Sequence, residues 1–203
     1  RTVLTIACIA CVGAWSSSAF AGDDGCKSCT KIKSAGEGFC DSCKSGKVFG
    51  LKVDSQELFD SLAGSSAGLE KVKNSNCPTC RKAAETDGVC DHCGVYVAFG
   101  KVFRNKFAYA LARGERVDHS AKKKCADCIK AAKGGGFCSA CDVGVVADRS
   151  FKTRSLYDSA VKAYEVIKAA IKDSAHCESC STARISNGKC AKCKKSFKDG
   201  KPT

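Results

Sequence analysis

Apolar positions recur along this chain at fixed distances from pairs of cysteines. Counted from Cys43, Cys93 and Cys141, an apolar residue stands five positions on (Val48, Ala98, Val146) and another ten on (Val53, Phe103, Phe151). An aromatic residue stands sixteen on (Phe59, Tyr109, Tyr157). Three separate segments agree, so the pattern describes a repeated unit. The short apolar runs at 95–99 and 143–147 predict a strand or hairpin arm, and a helix is predicted after each.

The helix of the third unit is the clearest. Tyr157, Ala160, Val161, Tyr164, Ile167 and Ile171 recur at three- and four-residue steps and form one apolar face. Ser155 with Asp158 suits a capping box at its start. In the first unit Asp54 with Glu57 offers the same cap, followed by Leu58, Phe59 and Leu62. In the second, Phe107, Ala108, Leu111 and Ala112 predict a shorter helix ending near Gly114. The fourth unit stops after Phe197 with no further helix. It reads as a half-repeat that caps the helix before it.

Sixteen of the eighteen cysteines belong to this repeat. They form the sets Cys26, Cys29, Cys40, Cys43; Cys77, Cys80, Cys90, Cys93; Cys125, Cys128, Cys138, Cys141; and Cys177, Cys180, Cys190, Cys193. Each set is C-x2-C, nine or ten residues, then C-x2-C, so four thiolates can surround one metal ion. A glycine lies two residues before each third cysteine (Gly38, Gly88, Gly136, Gly188). It predicts a tight turn with positive φ that brings the second pair back to the first.

The fold class expected is therefore α+β, a tandem array of small units, each a four-cysteine hairpin followed by a short β element and a helix. The predicted organisation is repeat 1 at 22–64, repeat 2 at 77–114, repeat 3 at 125–173 and a truncated C-terminal repeat at 177–203. Linkers fall at 63–76, 115–124 and 172–176; in the first, 69–72 suits an extension of a broken helix. At about fifty residues per unit, an apolar core alone is marginal, so the cysteine clusters are expected to supply much of the folding energy.

Residues 1–21 read as a secretory signal peptide: Arg1, a short apolar run to Trp15, and Ala19-Phe20-Ala21. The run is too short to span a membrane. Cys8 and Cys11 would leave with it. The protein is thus expected to be secreted or periplasmic.

The formal charge of +13 falls to +12 without Arg1. A divalent metal with four thiolates carries −2, so four such sites bring the charge to +4. Lysines and arginines crowd the cysteines (Lys27, Lys31, Lys44, Arg81, Lys82, Lys130, Lys192, Lys194, Lys195), and cations of this kind favour thiolates. The basic balance suits an anionic surface or an acidic protein as partner. Export and the lack of an aromatic–basic stripe argue against nucleic acid.

Zinc suits four cysteines at this spacing by size and softness. Disulfides are the main alternative in an oxidising compartment, although eight adjacent pairs invite mispairing. A four-cysteine iron centre or a thiol–disulfide couple is also compatible, whereas covalent haem needs a histidine after the second cysteine, which no pair has. His92 and His176 neighbour clusters that already hold four cysteines, and His119 lies in a polar linker; none is expected to be a ligand. No Ser/His/Asp set, phosphate-cradling glycine loop or carboxylate pair is present in a persuasive context, so no enzymatic reaction is expected.

Through Cys77-Pro78-Thr79-Cys80 and Cys90-Asp91-His92-Cys93-Gly94 the chain resembles the zinc-ribbon and zinc-knuckle class, over about twenty residues per repeat. The resemblance implies closed four-thiolate zinc sites, about four Zn2+ in all, that staple loops and leave no coordination position open for catalysis. The sequence reading is an exported, zinc-stabilised structural or interaction protein. Extracytoplasmic metal sequestration, a disulfide scaffold and an iron redox protein are its alternatives.

Overall fold

The computed structural model describes residues 26–118 and 125–203. The segment read as a signal peptide lies outside them, as do His119 and the Lys122–Lys124 run. The first unit contains α1 (Lys27–Ala35), β1 (Gly38–Cys40), β2 (Ser45–Val48), β3 (Leu51–Val53) and α2 (Gln56–Ala63). A short α3 (Gly68–Lys73) leads into the second unit: α4 (Pro78–Thr86), β4 (Val89–Cys90), β5 (Val95–Ala98), β6 (Lys101–Phe103) and α5 (Lys106–Ala112). After β7 (Glu115–Arg116), the third comprises α6 (Ala126–Gly134), β8 (Gly136–Cys138), β9 (Val143–Val146), β10 (Arg149–Phe151) and α7 (Arg154–Ser174). The last holds α8 (Glu178–Ser186), β11 (Phe197–Lys198) and β12 (Lys201–Pro202). The chain is α+β and built of repeated four-cysteine units, as the sequence predicts.

Inside each unit the sequence reading needs correction. The residues between the two CxxC pairs form a nine-residue helix (α1, α4, α6, α8) in place of a bare turn. The first cysteine is its N-cap and the second falls in its first turn. Only one further residue at a shared offset is buried on every such helix, Ile32, Ala83, Ala131 or Ala183, too little periodicity for a sequence pattern to reveal. The helix is closed by a left-handed residue, Gly36, Asp87 or Asn187, in three units. Gly38 and Gly136 do have positive φ, but Gly88 and Gly188 do not. In the second unit the glycine serves contact, because a Cβ at Gly88 would sit 3.3 Å from the Ala83 Cα.

The strands form antiparallel meanders, β1-β2-β3 and β4-β5-β6, while β7 extends the third to β7-β10-β9-β8. Two-residue connections link β2 to β3, β5 to β6, β9 to β10 and β11 to β12. They are Phe49-Gly50, Phe99-Gly100, Ala147-Asp148 and Asp199-Gly200, and both residues of each have positive φ. That is the type I′ pattern whose twist matches a β-hairpin.

The helices that follow the sheets have side-chain caps, one residue from the predicted position in the first unit and two in the third. Ser55 accepts the Leu58 N–H at 3.1 Å, Asn105 accepts that of Ala108 at 2.7 Å, and Thr153 that of Leu156 at 3.3 Å. Asp54, the cap expected in the first unit, pairs with Lys52 at 3.0 Å, and Asp158, the box partner expected for Ser155, pairs with Arg154 at 2.9 Å. Each is in the right turn of the sequence but is held by an ionic partner.

The repeats do not form a linear array in which each touches only its neighbours. Val48, Val53, Leu58 and Leu62 of the first unit share one core with Phe103, Phe107 and Leu111 of the second and with Val146, Phe151 and Ile167 of the third. Ile185 of the fourth joins them. α7 packs on α5 and α8, and α2 also reaches α8. The centre of the α7 buried face is Ala160, Ala163, Ile167 and Ala170. Small residues there let two helices approach closely, and the predicted Tyr157, Val161, Tyr164 and Ile171 flank the contact half-buried. Thr182 bonds Glu57 at 3.2 Å, and Ser55 bonds Glu178. Lys106 pairs with Asp199 at 2.5 Å. First and last units are thus in direct contact.

Candidate metal centres

All sixteen predicted cysteines are brought into their four expected tetrads, and in each the four sulfurs lie within 4.8 Å of one another. Each unit builds its tetrad the same way. The helix start supplies two sulfurs. In the first three units a strand ends at the third cysteine, where the fourth unit has only an isolated bridge from Lys189 to Ser196, and in all four a tight turn carries the fourth cysteine. The residue after the fourth cysteine, Lys44, Gly94, Asp142 or Lys194, is left-handed in every copy. Gly94 was the one sequence signal of this shared knuckle.

The first and third sulfurs of the tetrads are 3.6, 3.8, 3.6 and 3.7 Å apart, in chain order. Cys193 and Cys177 are 3.6 Å apart. A metal–sulfur bond of about 2.3 Å in a tetrahedron sets the sulfur–sulfur edge at about 3.8 Å. A disulfide would need about 2.0 Å. Each tetrad is placed to hold a metal ion, and all four tetrahedral positions are cysteine.

Burial is graded. The third cysteine is buried in all four tetrads, while Cys93, Cys141 and Cys193 are exposed. Electrostatics follow the backbone. The Cys29 amide faces the Cys26 sulfur at the α1 N-terminus and lowers that thiol to about 7. The Cys80 amide does the same for Cys77, to about 6, and the Cys128 amide for Cys125, to about 7. In the fourth tetrad the favoured thiolate is Cys190, which accepts the Cys193 N–H at 3.2 Å and is lowered to about 7. Burial pushes Cys29 upward and Cys80 up to about 12. The hydrogen bond with Cys141 raises Cys128 to about 12. The principal cause of the lowered values is thus amide N–H groups; the crowding lysines singled out in the sequence are not among the leading ones. One anionic sulfur per tetrad is ready to receive a cation, and the metal must displace protons from the others.

His92 and His176 are exposed and belong to no tetrad. The four clusters fit a zinc-ribbon or knuckle-like class. Among the described residues no helix is long and apolar enough to cross a membrane. Comparisons of the chain with protein-family models, with curated proteins and with solved structures find no significant match.

Proposed function

We propose that this chain is an exported structural or interaction protein whose four cysteine tetrads are stapled by zinc and whose lysine-rich surface meets an anionic partner. The observation that carries the reading is the set of four closed, tetrahedrally spaced tetrads, one in each repeated unit. Zinc suits four thiolates without redox demands. A site with every position taken by cysteine leaves none for substrate, which supports a non-enzymatic role. Export rests on the signal-like residues 1–21, and the anionic partner, a surface or an acidic protein, on the formal charge of +4 left after four zinc sites.

The test is metal analysis with thiol titration under denaturing conditions, on protein recovered from its own compartment. About four zinc ions and sixteen free thiols are expected. No metal and no free thiols would replace the reading with a disulfide scaffold, and visible absorption with iron would make it an electron carrier. A metal store would give up its ions to a chelator without unfolding. The partner class is tested by binding to acidic vesicles at low salt, which should weaken as salt screens the charge.

A further inference from the structure

A cavity of about 420 Å3 opens where the hairpins of the first three units converge, away from all four tetrads. Its size falls within the usual range of small-molecule sites, about 300–1,000 Å3. Ala63, Ala98 and Phe103 give it an apolar lining, and Phe49 and Phe99 contribute aromatic rings. Arg149, Arg116 and Glu37 also border a second cavity of about 310 Å3.

Two observations point to a ligand. The first is charge. Glu37 is the shared carboxylate of three cations: Lys101 at 2.9 Å, Arg149 at 3.8 Å and Arg116 at 4.0 Å. The other acidic residue of the lining, Glu115, is paired with Lys152 at 2.7 Å. Three cations around one carboxylate leave an excess of two positive charges in a partly enclosed site. Arg149 and Glu37 each have side chains only 16 % exposed, so screening by water is reduced there. A bound anion is the natural complement.

The second observation is Phe99. It occupies a left-handed position, φ 48°, in a type I′ turn that prefers Asn, Asp or Gly. A bulky residue there is strained. At the matching turn of the first unit Phe49 is also left-handed, but its ring is buried and lies under the Arg149 guanidinium at 5.5 Å. Phe99 is 60 % exposed. Its amide is held by the Asp87 carboxylate at 2.8 Å, which fixes the turn but leaves the ring without cover. A strained, exposed aromatic ring at the rim of an apolar, cationic cavity has the form of one wall of a binding site.

We infer that this cavity binds a small amphiphilic anion, a carboxylate or sulfonate carrying a hydrocarbon body. The acid group lies against Lys101 and Arg116, and the hydrocarbon body crosses Ala98 and Phe103 under the Phe99 ring. The inference does not depend on which metal fills the tetrads.

The experiment uses the full chain, with metal content recorded before and after. Anilinonaphthalene sulfonate fluorescence reports occupancy, and dodecanoate is titrated against it below its micelle concentration. Saturable one-to-one displacement is expected. Phe99→Asn should weaken dodecanoate about tenfold by removing buried apolar contact, with an unchanged or higher melting temperature because Asn suits the turn. Arg116→Gln should weaken it as well, whereas Lys82→Gln, on the exposed face of α4, should not. Dodecyltrimethylammonium, with the same chain and the opposite charge, should bind at least about tenfold more weakly. Equal binding of the two chains, unchanged affinity in the folded Phe99→Asn and Arg116→Gln proteins, or no displacement by dodecanoate would each overturn the inference.

Discussion

Phe39 lies directly across the sheet from Gly46, and its ring occupies the space a side chain at Gly46 would take: a Cβ there would fall 2.6 Å from the Phe39 ring. The ring packs on Phe59 of α2, with centroids 5.5 Å apart. The third unit repeats the arrangement with Phe137 across from Gly144 and stacked on Tyr157 at 5.4 Å. The second unit reverses it. Val89 takes the first strand and Tyr96 the second, and Tyr96 stacks on Tyr109 at 5.4 Å. One large ring per cross-strand pair, supplied from either side, joins sheet to helix. In the fourth unit the pair is Lys189 and Ser196, and neither carries a ring.

This exchange predicts a compensation. Gly46→Tyr alone should overpack the site and cost about 1–3 kcal/mol. Phe39→Val alone should lose about 1–3 kcal/mol of packing. The double variant copies the second unit and should recover at least half of the summed loss in a urea denaturation cycle. Additive losses would mean that the Gly38 carbonyl, 2.8 Å from a Cβ at Gly46, and not the Phe39 ring sets the cost.

The tetrads are expected to stabilise different amounts of structure. Around the first, the buried cluster is Cys29, Ile32 and Cys40 with little else. Cys40→Ser should therefore remove one metal ion, from about four to three, and speed amide exchange in α1 while α7 keeps its protection. Cys90 packs instead with Val72, Val95, Val97 and Val102. Cys90→Ser should lower global stability more, by about 4 kcal/mol, as losses of metal with core contacts do. Hydrogen exchange read by mass spectrometry separates the two.

The fourth unit is held to α7 by specific contacts. Arg184 pairs with Asp173 at 2.7 Å, and the Gly200 turn packs so closely that a Cβ would meet the Val166 side chain. Ile185 enters the common core. Deleting 177–203 should lower the melting temperature by about 10 °C and open residues 154–174 to protease. Unchanged resistance would show that α7 is stable without it.

In metal-free, reduced protein the thiols should ionise in a fixed order. Cys77 is lowered to about 6 and Cys26, Cys125 and Cys190 to about 7. Alkylation at pH 7.5, about where these thiolates prevail, should mark those four first, and Cys29, Cys80, Cys128 and Cys180, all raised, last. The linkage follows from the sign. A thiol lowered on folding stabilises the fold fully above its unfolded value near 9, and the benefit is lost as pH falls through 6–7. Apo stability from these four groups should therefore fall on mild acidification. Equal alkylation of all sixteen cysteines would contradict the helix-terminus account.

The sequence alone determined the four tetrads, because ligand spacing is local and was written four times. It also determined the order of strand and helix after the fourth cysteine in the first three units, since Val48 and Val53 and their counterparts mark buried positions, and Phe59 and its counterparts half-buried ones, at fixed offsets. The helix between the pairs was hidden because only one residue, such as Ala83 or Ala131, is buried at the shared offset besides cysteine. The hairpin turns left a partial trace in Phe49-Gly50, Phe99-Gly100 and Asp199-Gly200, but Ala147-Asp148 does the same with no glycine. Only the tertiary structure decided that the units fold onto one core. Leu58, Leu111, Ile167 and Ile185 look alike in sequence whether they cover their own unit or a distant one, and their burial together is a long-range choice. The same folding gathers Glu37, Lys101, Arg116 and Arg149 around one cavity. Residues so far apart in the chain carry no shared spacing, and only packing brings their charges within reach of one another.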